Sequence, residues 1–155
     1  MSTTTKTIFA LSIIIIISTL VYTHRSSAPV TTMTETSIVG CYVATLGKDV
    51  YTLTITSQQN NAVAGTLQYK NFEKDSSSGS FMGTFSDNTL LGEYTFNSEG
   101  MQSVRQVIFK HEGDTFIQGF GVVETTGDRE HFANTALITY DKNSTFKHSD
   151  TCDIR

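Results

Sequence analysis

The chain has 155 residues, a formal net charge of −4 and two cysteines. That length accommodates one domain. The mild charge, with Lys and Arg dispersed along the chain, excludes the basic patch of a nucleic-acid binder and the acidic tail of a solvating segment.

The first element in chain order is Ile8 to Tyr22, almost wholly apolar. Lys6 and the amino terminus precede it, and His24 and Arg25 follow. A basic start, an apolar run and then Ser26-Ser27-Ala28 is the layout of a secretory signal. Pro29 directly after Ala28 disfavours cleavage there. The run is also short of the roughly 17–25 residues that span a bilayer. Residues 1–28 are therefore expected to be a signal peptide or an N-terminal membrane anchor. Either one exports the chain. The domain then stands outside the cytoplasm on the cell envelope, or is secreted or periplasmic if the segment is removed. Residues 29–37 form a Ser/Thr-rich polar linker holding the only proline, and 38–155 is the expected folded domain.

Helical periodicity is nearly absent from that domain. Short alternating runs rich in Val, Ile, Thr, Tyr and Phe recur instead, separated by Gly, Asn, Asp and Ser. Eight strands are predicted: 38–45, 50–56, 62–70, 79–85, 89–97, 102–110, 115–124 and 135–141. Most connections are of hairpin length, so neighbours should pair antiparallel. Closing such a sheet removes its exposed edges. The expected fold is all-β: a small eight-stranded, antiparallel, up-and-down barrel of calycin-like form, with a two-sheet β-sandwich as the alternative. Alternation puts Tyr51, Leu53, Ile55, Val63, Leu67, Tyr69, Phe81, Leu90, Tyr94 and Phe96 inside. Glycines within the strands, at 65, 83, 92, 119 and 121, suit sharp curvature.

Cys41 and Cys152 lie at opposite ends of this domain. In an oxidising compartment such a pair is expected to be a disulfide. It would tie the first strand to the C-terminal tail, stabilising by about 4–5 kcal/mol in the chain-entropy picture.

"GCY" at 40–42, "FMGTF" at 81–85, "YTFNSEGMQSVRQVIF" from 94 to 109 and "IQGFG" at 117–121 together resemble a family of small exported β-domain proteins of lipoprotein type, mostly of Bacteroidota. The resemblance covers about residues 39 to 152. It implies an exported, β-rich protein and no particular chemistry. This chain departs from the family in having no lipobox cysteine.

Candidate functional residues centre on Arg105. Alternation places it inward with Ser103, and on the next strand with Phe116, Gln118, Phe120 and Glu124. A buried arginine needs a partner, and Glu124 or the turn residue Glu99 is expected to supply it. Such a pair would plug one end of the barrel. In the competing reading, Arg105 offers its planar donor fork to an anionic ligand. Ser103, Tyr94, Glu124 and Glu99 complete that ligand-binding set.

Asp128, Glu130 and His131 lie in the long segment 127–134, the minimum for acid–base chemistry and the basis of a third, hydrolytic reading. No catalytic residue, cofactor or metal is assigned: His111 and His148 lack metal-ligand spacing, and no catalytic motif occurs. The expected function is that of a non-enzymatic envelope module for structure or interaction. The alternative is a barrel that binds a small or lipidic ligand. Large inward side chains favour a packed interior.

Overall fold

The computed structural model describes residues 37–98 and 101–152. The expected signal or anchor at 1–28, the linker up to residue 36, and Glu99 lie outside the described residues. Among the described residues no helix is long and apolar enough to cross a membrane.

The protein is all-β. Strands β1 (Gly40–Leu46), β2 (Asp49–Gln59), β3 (Ala62–Lys70), β4 (Ser77–Ser86), β5 (Thr89–Ser98) and β6 (Met101–Glu112) follow one another as hairpins. β7 (Thr115–Phe120) continues the meander. A small hairpin of β8 (Val123–Thr126) and β9 (Arg129–Phe132) then intervenes before β10 (Thr139–Ser149). Hydrogen bonding runs β5-β4-β3-β2-β1-β10-β7-β6, and β6 pairs back onto β5. Eight strands thus close a ring, and the hairpin stands outside it. The barrel expectation holds and the sandwich alternative is set aside.

Two strand expectations need correction. The seventh was predicted to run to Glu124, but β7 ends at Phe120 and its continuation turns out of the ring to pair with β9. The eighth was predicted at 135–141. Residues Thr135–Leu137 instead form one 3-10 turn, capped by the Asn134 side chain accepting from the Ala136 N–H, and the strand begins at Thr139. Asp141-Lys142-Asn143 reads locally as a turn. In the fold it is a bulge in β10, where Asp141 Oδ1 accepts from the Asn143 N–H.

Alternation assigns the faces correctly on β2 to β5. Cross-strand pairs Leu53–Leu67, Tyr51–Tyr69, Phe81–Tyr94 and Leu90–Phe109 share the interior, and their apolar members form one buried cluster with Ile38, Tyr42, Phe116 and Phe146. The strand glycines do not create empty space. A Cβ at Gly65 would collide with the Thr54 carbonyl oxygen, so here the backbones themselves approach. A Cβ at Gly92 would lie 2.7 Å from the Phe81 ring, which already fills that volume.

Outside the ring, Ile138, Ile108 and Tyr140 side chains converge over Gly119. This small outer cluster explains why Ile108 is buried although it faces away from the lumen.

Cys41 and Cys152 form the expected disulfide, with Cα atoms 5.5 Å apart. Cys41 is on the outer face of β1, opposite Ser149 of β10, so the bridge lies beside the seam that joins the first and last ring strands.

Candidate functional site

The two ends of the barrel differ. At the end carrying Ile38, the interior is packed. Phe116 meets Tyr42 edge-on at 4.8 Å between ring centres, and Phe109 meets Phe146 at 5.4 Å. The Tyr42 hydroxyl donates to the Ile38 carbonyl and anchors the segment that covers this end. Half-buried His111 stacks on Phe116 there, and burial holds its pKa below the usual imidazole value, against a smaller opposing effect of Asp114.

At the opposite end the interior is open. A cavity of about 550 Å³ is lined by residues that include Tyr51, Tyr69, Val107, Gln118, Phe120 and Ser144. The pairing pattern accounts for it. β7 bonds to β6 only from Ile108–Gly119 onward, and the first half of β6 has β9 at its side instead. β7, with six residues against the twelve of β6, is therefore too short to close the ring wall here.

Neutral polar groups converge at depth. The Gln118 amide donates from Nε2 to the Tyr69 hydroxyl at 2.8 Å. Gln118 is 8% exposed and Ser144 is 3% exposed. Thr145 pairs with Ile117, so Ser144 stands beside Gln118. Burial pushes the Tyr69 phenol well above its ordinary range, partly offset by the Gln118 hydrogen bond, so it remains a neutral donor. Tyr69 also meets Tyr51 edge-on at 4.9 Å and Tyr94 at 5.8 Å, which extends an aromatic wall across β2, β3 and β5.

The sequence-derived candidates are only partly gathered. Arg105 is on the lumen side of β6, directly opposite Tyr94, as alternation predicted. It is not a buried plug: its side chain is 49% exposed at the cavity rim. Its partner is Glu130 of β9, with Nε 2.6 Å from the carboxylate. Of the two expected partners, Glu99 lies outside the described residues, and Glu124 does not bond it. Glu124, predicted to face inward, is exposed on β8 and sits 3.6 Å from His131. β7 ends at Phe120, four residues before Glu124, so Glu124 is carried out of the ring onto β8.

Tyr94 is fully buried behind the wall, and its hydroxyl donates to Ser77 Oγ. Ser103 lines a separate groove of about 170 Å³ with Phe96, Arg105 and Glu130. The 127–134 segment is not an open loop: it holds the turn and second strand of the β8–β9 hairpin. Its Glu130 is engaged by Arg105, and its Arg129 bonds Glu93 at 2.7 Å. The hairpin is also tied to β6 by the Phe132 N–H on Gln106 Oε1 and the Val104 N–H on the Asp128 carbonyl.

Gln118 and Ser144 were not singled out as ligand-facing residues. A signal existed for the first: an amide between Phe116 and Phe120 on the inward register. None existed for Ser144, which lay beyond the predicted eighth strand and had no assignable face.

An exposed ion pair of this kind contributes little, about 0–1 kcal/mol. Glu130→Gln is accordingly expected to lower stability by less than about 1 kcal/mol, read from the urea midpoint, and Arg105→Met by a similar amount. A loss several times larger for Glu130→Gln would mean that Arg105 is effectively buried.

Comparison with protein-family models, with curated proteins and with solved structures finds no match for this chain.

Proposed function

We propose that this protein is an exported barrel that binds a small molecule in its open end. The observation that carries the reading is the cavity of about 550 Å³ above a packed floor. Its size lies within the range of small-molecule sites, roughly 300–1,000 Å³, and its mixture of aromatic walls with a few convergent polar groups is their usual make-up. Large inward side chains favoured a filled interior in the sequence. They occupy the Ile38 end, whereas Tyr51 and Tyr69 flank open space at the other.

Export is supported by the apolar run Ile8 to Tyr22 behind Lys6. The Cys41–Cys152 bridge is compatible with an oxidising compartment. An envelope protein, anchored by residues 8–22 or released, is the location we propose.

A second reading, the envelope interaction module, is favoured by a different observation. Phe120, Val122, Val123 and Leu137 are all exposed on the connection from β7 to β10. Exposed apolar residues grouped in this way can mark a partner surface.

Native mass spectrometry of the full protein, purified from its own host without denaturation, separates the two. A reproducible excess mass that leaves on unfolding is the expected result. A bare mass equal to the disulfide-closed chain would favour the interaction module.

A further inference from the structure

The chemistry of the cavity limits what it can hold. This step rests on the binding reading above and concerns the class of ligand.

Two charged side chains are among those lining the cavity, Arg105 and Asp141. Arg105 is already neutralised by Glu130 at 2.6 Å, and it sits half-exposed at the rim, where water screens it. Asp141 accepts from both the N–H and the side-chain amide of Asn143 at 2.9 Å. An anionic head would have to share the guanidinium with Glu130 and would meet the Asp141 carboxylate. A cationic head would find the Asp141 charge, which the neutral Asn143 donors do not cancel, but would also meet the guanidinium. On these walls a charged head of either sign therefore meets a like charge as well as an opposite one.

The deeper groups are neutral. Ser144 is 3% exposed, and its hydroxyl has no hydrogen-bond partner among the described residues. No buried side-chain polar atom is sealed away unpartnered there, so this hydroxyl faces the cavity space. A buried hydroxyl without a protein partner is costly unless something fills its place. Beside it, the Gln118 amide spends Nε2 on Tyr69, which leaves its oxygen as an acceptor. The Tyr69 hydroxyl accepts from Gln118 and keeps its own proton to donate. Two hydroxyls and one amide oxygen thus converge at the floor of an aromatic-walled space. That set matches a hydroxyl or carbonyl group, which can donate and accept there without carrying charge.

We propose that the cavity recognises an uncharged amphipathic molecule, its apolar body against Tyr51 and Val107 and its hydroxyl or carbonyl end against Ser144, Gln118 and Tyr69. Arg105, the residue the sequence put forward as an anion fork, then belongs to the rim, holding the β8–β9 hairpin through Glu130.

The test uses the full protein and two matched probe series: naphthaleneethanol, naphthaleneacetate and naphthaleneethylamine, and dodecanol, dodecanoate and dodecylamine. The chain has no tryptophan, so naphthalene emission can be read directly in titrations, and calorimetry serves for the alkyl series. The expected result is that the alcohol binds most tightly in at least one series. Ser144→Ala should then weaken the alcohol about three- to tenfold, the effect of one neutral hydrogen bond, and leave the acid and amine unchanged. Tighter binding of the acid or the amine in both series overturns the uncharged class while leaving the binding reading intact. An alcohol preference untouched by Ser144→Ala overturns the placement of the head group. If all six probes fail to bind, the inference fails, and if native mass spectrometry also finds a bare chain, the binding reading falls with it.

Discussion

Removing both cysteines, as Cys41→Ala with Cys152→Ala, is expected to lower the unfolding free energy by about 4–5 kcal/mol. The bridge spans a sequence separation of 111 residues, nearly the whole described domain. In the chain-entropy picture, so long a loop restricts the unfolded ensemble strongly, and that restriction is lost with the bond. The native contribution is local. Cys41 sits on the outer face of β1, paired across to Ser149 of β10 and to Thr54 of β2. Cys152 lies three residues past the end of β10, with its sulfur near the Thr54 hydroxyl. The bond therefore reinforces the one ring contact made by strands from opposite ends of the chain, β1 with β10. Loop closure must be achieved there before any hydrogen bond forms in return. Equilibrium urea unfolding of the oxidised protein and of the double variant measures the difference. A loss below about 1 kcal/mol would be far short of the loop-closure value. It would mean that the unfolded chain already keeps its ends together without the bond.

The second large effect is expected at the packed floor. Phe116→Ala should destabilise the fold by about 3–5 kcal/mol, the usual cost of emptying a buried phenylalanine site. Phe116 is fully buried and meets four rings: Tyr42 and His111 within 5 Å, and Phe85 and Phe109 at 6.4 Å. Those neighbours belong to β1, β4 and β6, each held in place by the barrel wall, so collapse into the void is restricted. Ser144→Ala, at the open end, removes one oxygen that no protein group partners, and should change stability by less than about 1 kcal/mol. The contrast separates a filled end from an open one. Urea midpoints for the two variants check it, and equal small losses would mean that the Phe116 site is loosely packed.

The fold was largely legible before any coordinates. The period-two runs from Tyr51 to Ile55, Val63 to Tyr69 and Leu90 to Phe96 mark both the strands and their inward faces, because the pleat sends successive side chains to opposite sides. Short turn-rich connections imply antiparallel neighbours, and edge avoidance implies closure. The cysteine pair marks the ends that meet. The site was legible only in part. Arg105 was placed on the correct face, yet Glu130 bonds it where Glu124 was expected. The deep residues Gln118 and Ser144 were not put forward.

Period, turn length and the cysteine pair thus carry an all-β chain, its antiparallel order, the inward faces of β2 to β5, and the disulfide. Position along the barrel axis is set instead by long-range strand pairing. Whether Arg105 is a buried plug or a half-exposed rim group depends on how far β7 reaches before it leaves the ring. Whether Glu124 or Glu130 meets it depends on a hairpin that packs parallel to β6 from outside. Whether Ser144 faces a cavity depends on a bulge in β10. Alternation is a property of adjacent residues, whereas depth, stagger and closure arise from pairings between strands distant in sequence.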